Sequence, residues 1–162
     1  MSQVVVADAG PLIALARTGH LPLLPRLFER VLIPEAVRDE LELSSNRPGA
    51  RALSTALARK RWLVVRKVRA DDSLRAALGP GECEAIALAS RERALLLIDD
   101  RKGRRAARAA GVQVIGTAGM LLAAKQKGLL TRVSPVLDQL ADAGYRLSDA
   151  LVRRLRQLAR ER

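Results

Sequence analysis

The chain has 162 residues, 49% of them hydrophobic, and 29 Lys and Arg against 17 Asp and Glu give a formal net charge of +12 at pH 7. One cysteine excludes an intrachain disulfide, and with one histidine it leaves little from which to build a zinc site or a Ser-His-Asp triad. The charge favours an anionic partner, nucleic acid first, although 2% aromatic content does not suit a binder built on aromatic stacking.

Short apolar runs alternate with longer helical patterns. Strands are predicted at 4–7, 62–68, 94–98 and 112–115, and the run at 30–33 predicts a strand or a strand-like entry to the next helix. Helices are predicted at 10–19, 34–43, 50–61, 82–93, 101–110, 118–127, 134–143 and 148–160. This order predicts an α/β fold, a three-layer α/β/α sandwich with a central, mainly parallel sheet. We expect one domain over 1–162, with the C-terminal helices at about 134–160 packing on it.

The N-terminal stretch is a poor signal peptide, because it lacks a basic region and carries Asp8 inside its apolar run. No apolar run approaches the roughly 20 residues that span a bilayer. We therefore expect a cytoplasmic protein with no membrane partner.

Acidic residues directly follow two of the predicted strands. Asp8 follows "VVVA", and Asp99 and Asp100 follow "LLLI". Sites in parallel sheets form at the carboxyl ends of strands, so these carboxylates are candidate functional groups. The alternative is that each Asp caps the helix after it, although capping needs only one of the Asp99/Asp100 pair.

Further acids lie on two of the predicted helices. Glu40 falls near the middle of the apolar face of helix 34–43, where an acid is costly unless something pairs with it; the alternative is a Glu at the edge of that face reaching solvent. Glu82 and Glu84 lie in the first turn of helix 82–93, where the helix dipole also tolerates them, and periodicity does not choose between them.

These carboxylates, scattered in sequence, could converge at one sheet edge. A carboxylate cluster without His or Cys suits Mg²⁺ or Mn²⁺. Such a site can bind a phosphodiester, activate a water and stabilise the leaving oxygen.

Helix 101–110 carries arginines immediately after the acid pair. Four arginines share one broad face of this helix, and alanines 106, 107, 109 and 110 lie on the opposite face. The arginines are Arg101, Arg104, Arg105 and Arg108. We expect these arginines to hold substrate phosphates beside an acid-bound metal. The alternatives are a solvated charged face, or a nucleic-acid path along the equally basic 153–162 segment.

Four of these segments, in order, resemble the PIN-domain family over approximately residues 4–130. They are "VVVADAGPLIALARTG", "IPEAVRDEL", "GECEAIALA" and "LLLIDDRKGRRAA". The resemblance places the catalytic acids on Asp8, Glu40, Glu84 and Asp100, with Glu82 and Asp99 as neighbouring acids. The sequence departs from the family pattern in two places: the third acid is Glu, and "RKG" follows the fourth acid.

The resemblance implies a small α/β/α nuclease, specifically an Mg²⁺- or Mn²⁺-dependent ribonuclease, with Asp8, Glu84, Asp99 and Asp100 as the expected metal ligands. It also implies the toxin of a toxin–antitoxin pair, with an antitoxin partner and a homodimer. The chief alternative is a non-catalytic nucleic-acid- or protein-binding module on the same scaffold. A response-regulator receiver would need its acid pair after the first strand, and a haloacid-dehalogenase-like phosphatase would need Asp-x-Asp where this chain has "DAG".

Overall fold

Five short parallel strands form the sheet at the centre of the chain. The computed structural model describes residues 3–162 and contains β1 (Val4–Ala7), β2 (Arg30–Pro34), β3 (Leu63–Arg66), β4 (Leu95–Leu97) and β5 (Val114–Ile115). Neighbouring strands pair in the order β3-β2-β1-β4-β5, and every pairing is parallel. This confirms the predicted α/β/α fold with a parallel sheet.

Helices connect and cover the strands. In the described part of the chain they are α1 (Ala9–Arg17), α2 (Leu23–Leu27), α3 (Glu35–Glu40), α4 (Ala50–Arg59), α5 (Asp72–Arg75), α6 (Pro80–Glu92), α7 (Arg101–Ala109), α8 (Thr117–Gln126), α9 (Ser134–Asp142) and α10 (Asp149–Leu158). The short helices α2 and α5 were not predicted. None of the helices in residues 3–162 is long and apolar enough to cross a membrane.

Among the predicted helix boundaries that differ from the observed ones, two belong to the helices that carry the glutamates. Helix 34–43 ends at Glu40, and Glu42 beyond it has a positive φ of 51° that a helix does not continue through. Helix 82–93 begins earlier, at Pro80, because proline is well suited to the first helical position.

The hydrophobic core lies where helices cover both faces of the sheet. Val5 and Val6 of β1 and Leu96 and Leu97 of β4 are fully buried, as expected for central strands covered on both faces. Helix α6 also lies close to the sheet, with Ala85, Ile86, Leu88 and Ala89 buried. The central strand β1 and its neighbour β4 are the strands that are followed by the acids.

The C-terminal helices are tied to the rest of the chain through Glu161. Its carboxylate accepts hydrogen bonds from Lys125 Nζ of α8 at 2.7 Å and from the backbone N–H groups of Val133 and Ser134 at 2.9 and 3.0 Å. Leu155 of α10 belongs to the same hydrophobic cluster as β1. One domain over 1–162 stays a prediction, and Met1 and Ser2 lie outside the described residues.

Candidate active site

Asp8 lies at the centre of the carboxyl edge of the sheet. It directly follows β1, and its backbone N–H donates to the carbonyl of Leu97 at 2.9 Å, which fixes it beside the end of β4. The residue is only 8% exposed, and its Oδ1 has no hydrogen-bond partner among residues 3–162. Burial raises the pKa of Asp8 to about 6. A hydrogen bond from the Ala9 N–H lowers this pKa, and the charges of Glu40, Asp100 and Asp99 raise it. The side chain does not cap α1.

Asp100 lies in the loop after β4 and begins α7. Its Oδ2 accepts a hydrogen bond from the Gly103 N–H at 2.8 Å, so it does cap the helix, the role considered as its alternative. Its charge also contributes to the raised pKa values of Asp8 and Glu82. Capping and membership of the acid cluster are therefore combined in one residue.

Glu82, in the first turn of α6, is the helix acid that the structure brings to this edge. Its Oε2 is buried and unpartnered within the described chain. Burial raises the pKa of Glu82 to about 7, and the nearby charges of Asp100 and Asp8 raise it further. The neighbouring negative charges disfavour the ionised form of Glu82, so this side chain holds its proton to a higher pH than a free glutamate does.

Glu84 lies two residues further along α6 and faces another element. Its Oε1 accepts a hydrogen bond from the backbone N–H of Ala36, in the first turn of α3, at 3.2 Å. The family resemblance places the third acid on Glu84, whereas the geometry favours Glu82. Two residues along a helix correspond to a rotation of about 200°. The two glutamates therefore contact different neighbours.

Glu40 reaches the site from the end of α3, but not as its periodicity predicts. The residue is exposed rather than buried in an apolar face, because α3 is short and Val37 and Leu41 alone bury against the core. Its Oε1 accepts a hydrogen bond from the Gly81 N–H at 3.1 Å. Partial desolvation raises the pKa of Glu40, this bond lowers it, and the Glu84 charge raises it. Its partner is a helix N-terminus rather than a cation.

Asp99, expected as a metal ligand, is used differently. Its Oδ1 accepts from the Thr117 N–H at 2.8 Å, and its Oδ2 accepts from the Thr117 hydroxyl at 2.5 Å and from the Tyr145 hydroxyl. Both oxygens are thus engaged in holding the start of α8 and the α9–α10 connection. Burial and the Asp99 charge raise the pKa of Tyr145, so this hydroxyl is a donor at neutral pH.

The remaining acids have the donor chemistry of a site for a hard divalent cation. Within residues 3–162, no three His, Cys, Asp or Glu side chains are grouped closely enough to hold one metal ion as they stand. The unpartnered buried oxygens of Asp8 and Glu82 and the raised pKa values nevertheless mark a cluster short of positive charge. These residues fit such a cation, because a bound cation would relieve the repulsion that now favours protonation.

Two glycines make room for the acids, and sequence reasoning missed both. A Cβ on Gly103 would lie 2.9 Å from Glu82 Oε2 and 2.6 Å from Ile98 Cδ1. A Cβ on Gly81 would lie 2.2 Å from Glu40 Oε1. No local signal marks either contact, because Gly81 is 41 residues from Glu40 and Gly103 is 21 residues from Glu82 in sequence.

A groove of about 1120 Å³ begins at Asp99 and Asp100 and runs along α7. Arg101, Arg104, Arg105 and Arg108 all line it, together with Arg146 and the apolar Leu147 and Leu151 from the α9–α10 region. Arg104 donates to the carbonyl of Ile98 at 2.9 Å, so it also fixes the acid-bearing loop. On the opposite face of α7, Gly103 and Ala107 are buried, while Ala109 and Ala110, expected to pack on the sheet, are exposed.

The family model DUF3368, described as a PIN domain, matches residues 4–161 of this chain. The chain belongs to the PIN-domain family. PIN domains are typically nucleases, and they generally bind nucleic acid and use divalent metal ions. No curated protein matches this chain.

Two solved structures resemble this PIN domain in fold. One is a domain of a functionally unknown protein from Methanocaldococcus jannaschii DSM 2661, with a TM-score of 0.50 and 22% identity, covering 71% of this chain and 91% of that one. The other is a PilT N-terminus domain protein from the hyperthermophilic archaeon Sulfolobus solfataricus P2, with a TM-score of 0.48 and 18% identity, covering 74% of this chain and 92% of that one. At these identities the likeness concerns the fold alone.

Proposed function

We propose that this PIN domain is a metal-dependent endoribonuclease that hydrolyses phosphodiester bonds in RNA. The observation that carries the proposal is the coupling of Asp8, Glu82 and Asp100 at one sheet edge, where two of the three have raised pKa values and an unpartnered buried oxygen. A carboxylate cluster under this repulsion is suited to binding Mg²⁺ or Mn²⁺.

The acids have separate roles in this proposal. Asp8, Glu82 and Asp100 would hold the cation, and Glu40, placed at the rim of the cluster by Gly81, would accept a proton from the attacking water. A bound divalent cation would activate that water and stabilise charge on the leaving oxygen. Glu84 and Asp99 act as positioning residues, the first through the start of α3 and the second through the start of α8.

The arginines of α7 supply the charge that brings an RNA backbone to the acids. Arg101, Arg105 and Arg108 make no ion pair or side-chain hydrogen bond within the described residues, so their charge is available to phosphates. Without such neutralisation, a polyanion would be repelled by the carboxylate edge.

Cleavage of structured and unstructured RNAs with added Mg²⁺ or Mn²⁺ tests this function. We expect hydrolysis that depends on the metal and is lost in Asp100→Asn, which keeps a side-chain acceptor for the Gly103 N–H. Metal-independent cleavage, or full activity in Asp100→Asn, would contradict the proposal. Retained RNA binding with no hydrolysis under any metal would favour the non-catalytic module. The toxin role, the antitoxin partner and the homodimer stay predictions from the resemblance.

A further inference from the structure

The groove beside the acids has two walls from distant parts of the chain. The first is α7, with Arg101, Arg105 and Arg108. The second is the segment from Tyr145 to Leu151, which contains the α9–α10 connection and the first turn of α10. Arg146 lines the groove from this second wall, so positive charge faces it from both sides.

The second wall is fixed to the acid-bearing loop by one side chain. The Tyr145 hydroxyl donates to Asp99 Oδ2, and Asp99 also accepts from Thr117 at the start of α8. Asp99 is the residue next to Asp100, so the position of Arg146 relative to the acids depends on the Tyr145–Asp99 hydrogen bond.

The charge on the second wall is not consumed within the protein. Arg146 is exposed and makes no ion pair or hydrogen bond with any described residue. Arg146 and the arginines of α7 therefore present positive charge to the same groove, which favours an anionic ligand there.

The lining between the arginines is apolar. Val114 and Ile115 form part of the floor, and Leu147 and Leu151 belong to the second wall, with Leu151 40% exposed. A duplex presents phosphates and sugars to such a groove and keeps its bases stacked inside. A single strand instead offers base faces to apolar side chains and to guanidinium planes while its phosphates meet arginines.

We propose that residues 145–151 form the second wall of a groove for single-stranded nucleic acid, in which Arg146 contacts a phosphate opposite α7 and Tyr145 positions Arg146 through Asp99. This inference rests on the proposed function, because the strand in the groove is the one that the acid edge would cleave. It assigns the C-terminal part of the chain to the substrate site.

Binding without metal tests the groove separately from hydrolysis. The affinity of a short labelled single-stranded RNA, a DNA of the same sequence and the corresponding duplex is measured by fluorescence anisotropy in EDTA over a series of salt concentrations. We expect Arg146→Ala to weaken single-strand binding severalfold and to lower the salt slope by up to about 0.7. The matched control is Arg153→Ala, an exposed arginine of α10 that does not line the groove, which should change neither quantity.

The positioning role of Tyr145 has its own readout. Tyr145→Phe keeps the ring and removes only the hydroxyl that Asp99 accepts, and thermal melting establishes that it folds. If Tyr145 acts through Arg146, the double variant Tyr145→Phe/Arg146→Ala binds no more weakly than Arg146→Ala alone, so the two losses are not additive. Additive losses would overturn the positioning role.

Three outcomes overturn the groove itself. They are unchanged binding in Arg146→Ala, equal losses in Arg146→Ala and Arg153→Ala, and equal affinity of the wild-type protein for duplex and single strand. Unchanged binding in Arg146→Ala would indicate that the second wall binds another partner, such as an acidic protein segment. If RNA is cleaved while Arg146→Ala binds normally, the inference fails and the function stands. If no RNA is cleaved while Arg146→Ala loses binding, the function fails and the groove stands.

Discussion

The carboxyl groups of Glu82 and Asp100 lie together beside Gly103, where an added Cβ would lie 2.9 Å from Glu82 Oε2 and 3.5 Å from Asp100 Oδ2. One comes from the first turn of α6 and the other from the end of β4, so the pair joins two layers of the fold at the sheet edge. Bringing two acids together here is unfavourable in the metal-free protein. This cost supports the proposed divalent cation, which both acids would share.

Exchanging one glutamate at a time distinguishes Glu82 from Glu84. Glu82→Gln should reduce RNA cleavage by more than the roughly 10–100-fold typical of changes to outer-shell groups, because it removes a carboxylate from the cluster. Glu84→Gln is the matched control: its amide oxygen can still accept from the Ala36 N–H, and cleavage should fall by no more than roughly tenfold. The measurement is the initial rate at saturating Mn²⁺. A larger loss in Glu84→Gln would return the third acid to the residue chosen by the family resemblance.

The sequence carried enough information for the sheet and for two of the acids. "VVVA" and "LLLI" are short, continuous apolar runs, as central parallel strands require, and the acids at their ends necessarily meet at one edge. Such runs predict both the element and its place in the sheet. The helices α2 and α5 escaped prediction because each is about one turn long, too short for a period of 3.6 to show.

The details of the site depend on contacts between distant residues. Glu82 and Glu84 share the same helical turn and the same local signals, and only the positions of Asp100 and Ala36 distinguish them. Tyr145 is 46 residues from Asp99, and nothing near it in sequence indicates an acceptor. Glu40 was expected to be buried because its helix was predicted to run to 43, whereas the chain turns after Glu40. Periodicity defines faces but not their neighbours.

Mg²⁺ or Mn²⁺ should raise the thermal stability of the wild-type protein. Binding to the folded state alone adds about 2.7 kcal/mol at about 100 times the Kd. Asp8→Asn should lose most of this increment, and without metal the variant itself should melt higher because one repulsive charge has been removed. Differential scanning fluorimetry with and without metal gives the increment for each protein. Equal increments in wild type, Asp8→Asn and the control Glu84→Gln would rule out a metal site at this cluster.

The acid cluster also predicts an unusual pH dependence for the metal-free protein. The pKa values of Asp8 and Glu82 are raised to about 6 and about 7 from 3.8 and 4.5. The folded state therefore retains protons that the unfolded state has released, and the free energy of unfolding should fall as the pH rises from about 4 to about 7. Urea unfolding in EDTA across this range measures it. The decline should be shallower in Asp8→Asn and in Glu82→Gln; a wild-type stability that rises throughout this window would contradict the assignment.

Gly103 should tolerate no side chain without loss of the site. In Gly103→Ala the new methyl group meets Ile98 Cδ1 and Glu82 Oε2 at 2.6 and 2.9 Å, so Glu82 must move away from Asp100. We expect reduced cleavage and a smaller metal-induced increase in melting temperature. Gly79→Ala is the control, since a Cβ there meets nothing within 4 Å and Gly79 does not have a positive φ. Equal behaviour of the two variants would show that close packing at Gly103 does not matter.

Glu161 should determine whether the C-terminal helices stay on the core, and hence whether the second wall of the groove is in place. Its side chain is only 5% exposed, and it alone accepts the Val133 and Ser134 N–H groups at the start of α9. Glu161→Ala leaves these two donors without a partner, which costs about 1–3 kcal/mol for each buried group that stays unsatisfied. Single-strand binding should weaken in parallel, because α9 and α10 carry the wall between them. Asp138→Ala is the control: its pair with Arg156 spans 3.6 Å with Asp138 71% exposed, and such surface pairs contribute about 0–1 kcal/mol.

The pH dependence gives Glu161 an independent signature. Its pKa is lowered to about 2 from 4.5, where the hydrogen bonds from Lys125, Val133 and Ser134 outweigh the effect of desolvation. The stabilisation is therefore fully present above about pH 4.5 and is lost as the pH falls toward 2, in a window below that of Asp8 and Glu82. Glu161→Gln keeps an acceptor but cannot titrate, so urea midpoints between pH 4.5 and 2 should fall less steeply in this variant than in wild type. Parallel curves would mean that the hydrogen bonds to Glu161 do not depend on its charge. The C-terminal helices would then be held by their apolar contacts alone.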